Sequence, residues 1–198
     1  MSEAFPNLAV SLFTEGLGAP ERRLRDGDAS IAIYAPFATG AKDLEMEFLA
    51  SIEMTPVASA DHPLSRERAP IRRETLDRYV QLVLTDTTSM SANVTYGVMG
   101  SHLWRFADLH SRLDCLLAGL GWCHMPRHMV EDLIAAKRLA RLHIFEHDGQ
   151  RGVAPTRLYV VYRRDEPPGR SGRRLIEDLR ARLVGERGGT PWYARSFE

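Results

Sequence analysis

Apolar residues in this chain switch repeatedly between strand-like runs and helical spacing. The clearest case is SHLWRFADLHSRLDCLLAGLGWCHMPRHMVEDLIAAKRLARL, residues 101–142. Leu103, Trp104 and Phe106 form a short apolar run that suits a strand. Asp108 follows, placed where a short carboxylate can accept from the free N–H groups of a helix start. Leu109, Leu113, Leu116, Leu117 and Leu120 then recur at helical spacing. Gly119 and Gly121 give the backbone the freedom to stop the helix and turn back. Trp122, Cys123 and Met125 read as a short buried strand. Pro126 opens the next helix, where its missing N–H needs no partner. Met129, Val130, Leu133, Ile134 and Leu139 give that helix an apolar face. Glu131 and Asp132 lie early in it, and Lys137, Arg138 and Arg141 late, which suits its dipole.

The same alternation predicts elements elsewhere. LAVSLF (8–13) is a strand candidate and PERRLRD (20–26) a helix, with Gly27 just past its end. SIAIY (30–34) reads as a buried strand, and residues 44–59 contain strand-like stretches. Residues 71–79 form a helix candidate, VQLVL (80–84) a strand and TDTTSMS (85–91) a hydroxyl-rich turn. TRLYVVY (156–162) is a further strand, ended by Pro167-Pro168-Gly169. Leu175, Ile176, Leu179, Leu183 and Val184 then share one face of a last helix. Strands alternating with helices predict an α/β fold with mostly parallel sheets.

Charge changes the picture only locally. The 198 residues carry 26 basic and 26 acidic side chains, so the whole chain gives no argument for nucleic-acid binding. The first 60 residues are acidic (4 basic, 9 acidic) and the last 48 basic (11 basic, 6 acidic). Acidic and basic ends of this kind can pack in one lobe or stand as two solvated faces of opposite sign. The Arg-rich segment 163–182 also holds Glu177 and Asp178, which suits a solvated or partner-facing surface rather than a DNA contact. Cys115 and Cys123 are the only cysteines and read as small buried thiols. Neither a secretory signal nor a stretch as long as a membrane span is evident, so a cytoplasmic chain is expected.

Candidate chemistry is sparse. G-x-S-x-G, a Walker P-loop and H-E-x-x-H are all absent, and no enzyme is expected. Cys123, His124 and His128 are close in sequence, as are His143, Glu146 and His147. Adjacent strand residues point to opposite faces, so Cys123 and His124 would diverge and no metal site is expected. No cofactor is implied. TDTTSMS follows a strand, where open parallel sheets place ligands. Its Thr85, Thr87, Thr88 and Ser89 offer hydroxyls and backbone N–H groups suited to a carboxylate.

Six segments in order resemble the effector-binding (substrate-binding) domain of LysR-type transcriptional regulators. They are Phe5-Pro6 with LAVSLF, RLRDGDASIAI (23–33), VASADHPLS (57–65), AGLGWCHMP (118–126), RLARL (138–142) and YRRDEPPGRSGRRLIEDLR (162–180). The resemblance implies a two-lobed fold like type 2 periplasmic binding proteins. Lobe I would comprise residues 1–56 and 157–198, and lobe II residues 57–156. A small anionic effector would bind in a cleft between them, touching Tyr34 and Pro36 from one lobe and Thr85, Thr87, Thr88 and Ser89 from the other. Trp104 would pack inside lobe II.

Two departures from the family pattern stand out. No helix-turn-helix precedes the domain, so DNA would be reached only through the N-terminal part of a full-length regulator. Phe5-Pro6 also matches a point beyond the family's first strand, so lobe I is expected to be incomplete, with lower stability or self-association as the consequence. The reading is thus an effector-sensing domain that forms a homo-oligomer. A stand-alone ligand-binding protein, or an inhibitory dimerisation partner of full-length regulators, is the alternative.

Overall fold

The computed structural model describes residues 3–36, 41–86, 88, 97–145 and 155–185. The chain divides into two compact units. The smaller comprises the described residues of Met1–Thr14, Pro20–Ala50 and Arg157–Glu198; the larger comprises those of Glu15–Ala19 and Ser51–Thr156.

The smaller unit is built on helix α1 (Ala19–Asp26), strands β1 (Ala32–Tyr34), β2 (Leu44–Ile52) and β8 (Thr156–Arg163), and helix α5 (Arg170–Gly185). Its sheet runs β1-β8-β2, with β1 antiparallel to β8 from Ala32↔Val161 to Tyr34↔Tyr159. Leu24 of α1 packs with Ala32, Tyr34, Leu44 and Val161 to form the core. Glu47 joins three elements: its carboxylate accepts from the Tyr162 hydroxyl at 2.6 Å and from the Arg180 guanidinium of α5. Those two donors hold the Glu47 carboxyl below its ordinary pKa.

Residues 8–13 do not form a strand. Leu8, Val10, Leu12 and Phe13 are exposed, and Arg23 stacks over the Phe13 ring at 4.1 Å. Alternating apolar residues become a strand only when a neighbour pairs with their backbone, and among the described residues none does so here.

The larger unit holds strands β3 (Met54–Ser59), β4 (Gln81–Leu84), β5 (Leu103–Phe106), β6 (Trp122–Pro126) and β7 (Leu139–Arg141), with helices α2 (Arg73–Leu76), α3 (Leu109–Leu117) and α4 (Arg127–Ala135). The strand order is β5-β4-β6-β3-β7. Pairing is mixed. β4 is parallel to β5 and β6, whereas β3 is antiparallel to β6 and β7. Parallel pairing therefore belongs to the β4–β6 half, where α3 supplies the crossover that parallel strands need.

Alternation along the strands gives this sheet two cores. Val57, Leu82, Cys123 and Met125 face Leu116 of α3 and Val130 of α4. Ala58 and Trp122 face Leu64, Ile71, Leu76 and Leu142 on the other side. Asp108 caps α3 as its position predicts, accepting from His110 N and Ser111 N, both at 2.9 Å. The helix over 71–79 contracts to Arg73–Leu76. Ile71 is drawn out of it, donating to His143 O at 2.6 Å and accepting from Phe145 N at 2.8 Å. Trp104 does not pack inside the unit: it lies on edge strand β5 and is 47% exposed.

The two glycines after α3 do different work. Gly119 takes φ +76, the left-handed conformation that glycine adopts without strain. Gly121 is there for closeness: a Cβ on it would lie 2.3 Å from the carbonyl oxygen of Val80. That approach lets Trp122 N donate to Val80 O at 3.0 Å and seats β6 against β4.

Candidate functional site

Three parallel strands of the larger unit end on the same edge of its sheet. β4 ends at Leu84, β5 at Phe106 and β6 at Pro126. Thr85 continues the β4–β5 ladder by one bond, its N–H donating to Phe106 O at 2.8 Å. Beyond it the chain turns on a side chain. Asp86 Oδ1 accepts from Thr88 N at 2.8 Å and from the Thr88 hydroxyl at 2.7 Å. An aspartate that takes the N–H two residues on is a turn-forming arrangement. Thr85 and Thr88 are both half-buried. Thr87 and Ser89 lie outside the described residues.

Two further groups border this edge, and neither stood out in the sequence. Gly16 approaches closely enough that a Cβ would sit 3.1 Å from Ala107 O and 3.9 Å from both Leu84 methyls. The Gly16-Leu17-Gly18 triplet was the available signal, since glycine marks close backbone approach. The second group is Arg112 of α3. It is buried, and Nη2 donates to His124 O at 2.9 Å. Nothing in the spacing of α3 separates Arg112 from a solvent-facing arginine.

The side chains around Arg112 are set by burial. Burial holds its guanidinium below the ordinary arginine pKa. Burial also pushes the Cys123 thiol up to about 12, so it stays a thiol. The His124 imidazole is brought down to about 4, first by burial and then by the Arg112 charge, and is neutral near pH 7. Cys123 and His124 point to opposite faces of β6, as strand geometry requires. Among the described residues no group of three His, Cys, Asp or Glu is arranged to hold a metal.

In the smaller unit, Tyr34 ends β1 and Pro36 follows, half-buried. Tyr34 is itself buried, and its hydroxyl donates to Glu21 Oε2 at 2.9 Å. Glu21 Oε1 accepts from Arg25 Nη2 at 2.8 Å and Nε at 3.0 Å, and Arg25 also bonds Asp43. The Tyr34 phenol is therefore engaged within the unit, and its backbone and the adjoining Ala35-Pro36 are what the end of β1 presents.

The described residues thus form two α/β units, the larger with a turn bearing Thr85 and Thr88 at the carboxyl ends of parallel strands. The chain belongs to the LysR substrate binding domain family, whose model matches residues 1–184. It is 29% identical over 135 residues to the probable HTH-type transcriptional regulator YhaJ of Escherichia coli K12. That match covers 67% of this chain and 45% of the regulator, so less than half of the regulator's length is spanned. The regulatory domain of CrgA from Neisseria meningitidis superposes with a TM-score of 0.67 at 18% identity, covering 92% of this chain and 87% of CrgA's. The effector binding domain of QuiR, solved in complex with shikimate, gives 0.63 at 15% identity, covering 95% and 87%. These likenesses establish the type 2 periplasmic-binding-protein-like fold. Among the described residues no helix is long and apolar enough to cross a membrane.

Proposed function

We propose that the domain senses a small anionic effector at the carboxyl ends of β4, β5 and β6, by binding rather than by chemistry. The observation that carries this reading is the Asp86–Thr88 turn directly after β4, a strand flanked on both sides by parallel neighbours. Open α/β sheets place ligands just beyond such strand ends. The Thr85, Thr87 and Ser89 hydroxyls are the candidate donors to an oxyanion, and Thr88, whose N–H and hydroxyl both go to Asp86, would join them by exchanging Asp86 for the ligand. QuiR's domain binds shikimate, a hydroxylated carboxylic acid, which supports the same ligand chemistry here.

In a full-length regulator, an effector that favours one arrangement of the domain shifts the oligomer's affinity for DNA by its differential binding. Homo-oligomerisation and a cytoplasmic location go with that role. The test is calorimetry of the chain with shikimate, before and after Thr88→Val. Saturable binding, weakened about tenfold by losing a hydrogen bond to a charged group, supports the reading. Unchanged affinity in the variant would remove Thr88 from the site.

A further inference from the structure

Arg112 is a buried cation without a counter-charge. It is 5% exposed, and the influences acting on it are burial and the Cys123 thiol, with no carboxylate among them in the described residues. Its Nε is buried and has no hydrogen-bond partner among the described residues, while Nη2 reaches the His124 carbonyl. A charge this far from water is costly unless an opposite charge meets it.

Its place in the sheet suggests what meets it. Trp122 N donates to Val80 O, so the backbone of Trp122 faces β4. Residues two apart in a strand point their backbone groups the same way, so His124 faces that side too. Yet the described β4–β6 ladder consists of the single pair Gln81↔Trp122. One step further on, His124 O accepts from Arg112 Nη2. The guanidinium thus stands where two parallel strands part at their carboxyl ends, on the sheet edge that also carries Thr85 and Thr88. In a guanidinium, Nε–H and one Nη2–H lie parallel and match the two oxygens of a carboxylate, leaving the second Nη2 hydrogen for His124 O.

We propose that Arg112 selects the charge of the effector, binding its carboxylate through Nε and Nη2 where β4 and β6 part. This rests on the Thr85–Thr88 reading and adds to it the group that recognises the anion. The test is calorimetric titration of the 198-residue chain with shikimate, acetate and chloride at fixed ionic strength. The proteins are the wild type, Arg112→Lys, Arg112→Met and Thr88→Val, each checked for folding by circular dichroism.

Saturable carboxylate binding is expected in the wild type, about tenfold weaker in Arg112→Lys and lost in Arg112→Met, with chloride unable to displace it. If Arg112→Met does not fold, the Lys variant, which keeps the charge but not the fork, decides. Three results overturn the proposal: no saturable binding of either carboxylate to the wild type, full displacement by chloride, or wild-type affinity in the folded Arg112 variants. Loss in Thr88→Val with full binding in both Arg112 variants would remove Arg112 and leave the turn. The reverse pattern would keep Arg112 and remove the turn.

Discussion

The Tyr34 hydroxyl donates to Glu21 at 2.9 Å, tying the end of β1 to α1 inside the smaller unit. Tyr34→Phe removes that donor from Glu21 Oε2, while Arg25 still holds only the other oxygen, Oε1. The variant is expected to lose about 1–2 kcal/mol in urea denaturation. The sign of its pH dependence is fixed. Burial and then Glu21 raise the Tyr34 pKa above its ordinary value. Its contribution is therefore complete below about pH 10, where the unfolded phenol titrates, and fades as the pH rises above that. The gap between wild type and Tyr34→Phe should narrow above pH 10; a gap independent of pH would contradict the hydrogen bond.

Gly121→Ala is expected to be among the most damaging single changes. The new methyl would meet the Val80 carbonyl, which is backbone and cannot swing aside. β6 would have to move off β4, at a cost of about 3 kcal/mol or more. A melting temperature within a degree or two of wild type would show that the two strands are not held this closely.

His124 predicts an acid-side weakness. Its folded pKa is about 4, against an ordinary value of 6.5. Between those values the unfolded chain takes up a proton that the folded chain refuses, so stability falls as the pH drops from 6.5 towards 4. The loss attributable to this residue is at most about 3 kcal/mol. His62, whose Nδ1 accepts from Leu64 N, acts in the same sense through its own burial. His124→Gln should flatten the slope of denaturation free energy between pH 4 and 6.5. An unchanged slope would place the titration elsewhere.

The sequence showed most of the larger unit because its elements are locally determined. Asp108 caps α3, Gly119 ends it, Pro126 precedes α4, and each signal acts within a few residues of itself. It misled where the outcome depends on a distant partner. Leu8–Phe13 has the pattern of a strand but no described neighbour to pair with. Ile71 leaves its predicted helix for a bridge to Ile144, more than seventy residues away. Trp104 reads as core, but lies on the sheet's outer strand. Of the proposed site, part could be read from the sequence. Thr85 and Thr88 follow from strand-then-turn logic, whereas Arg112 emerges only when β6 and α3 are placed together. Tyr34 is where its pattern put it, at a strand end, but the carboxylate that engages its hydroxyl comes from thirteen residues earlier in α1.

The Thr85–Thr88 end of the larger unit's sheet is the proposed binding place for a small carboxylate. Backbone amide NMR of the isotopically labelled chain, titrated with shikimate, tests this most directly. Saturable shifts at Thr85, Asp86 and Thr88, together with the Arg112 Nε–H resonance, are the predicted result. Saturable shifts confined to other residues, or none up to millimolar ligand, would contradict it.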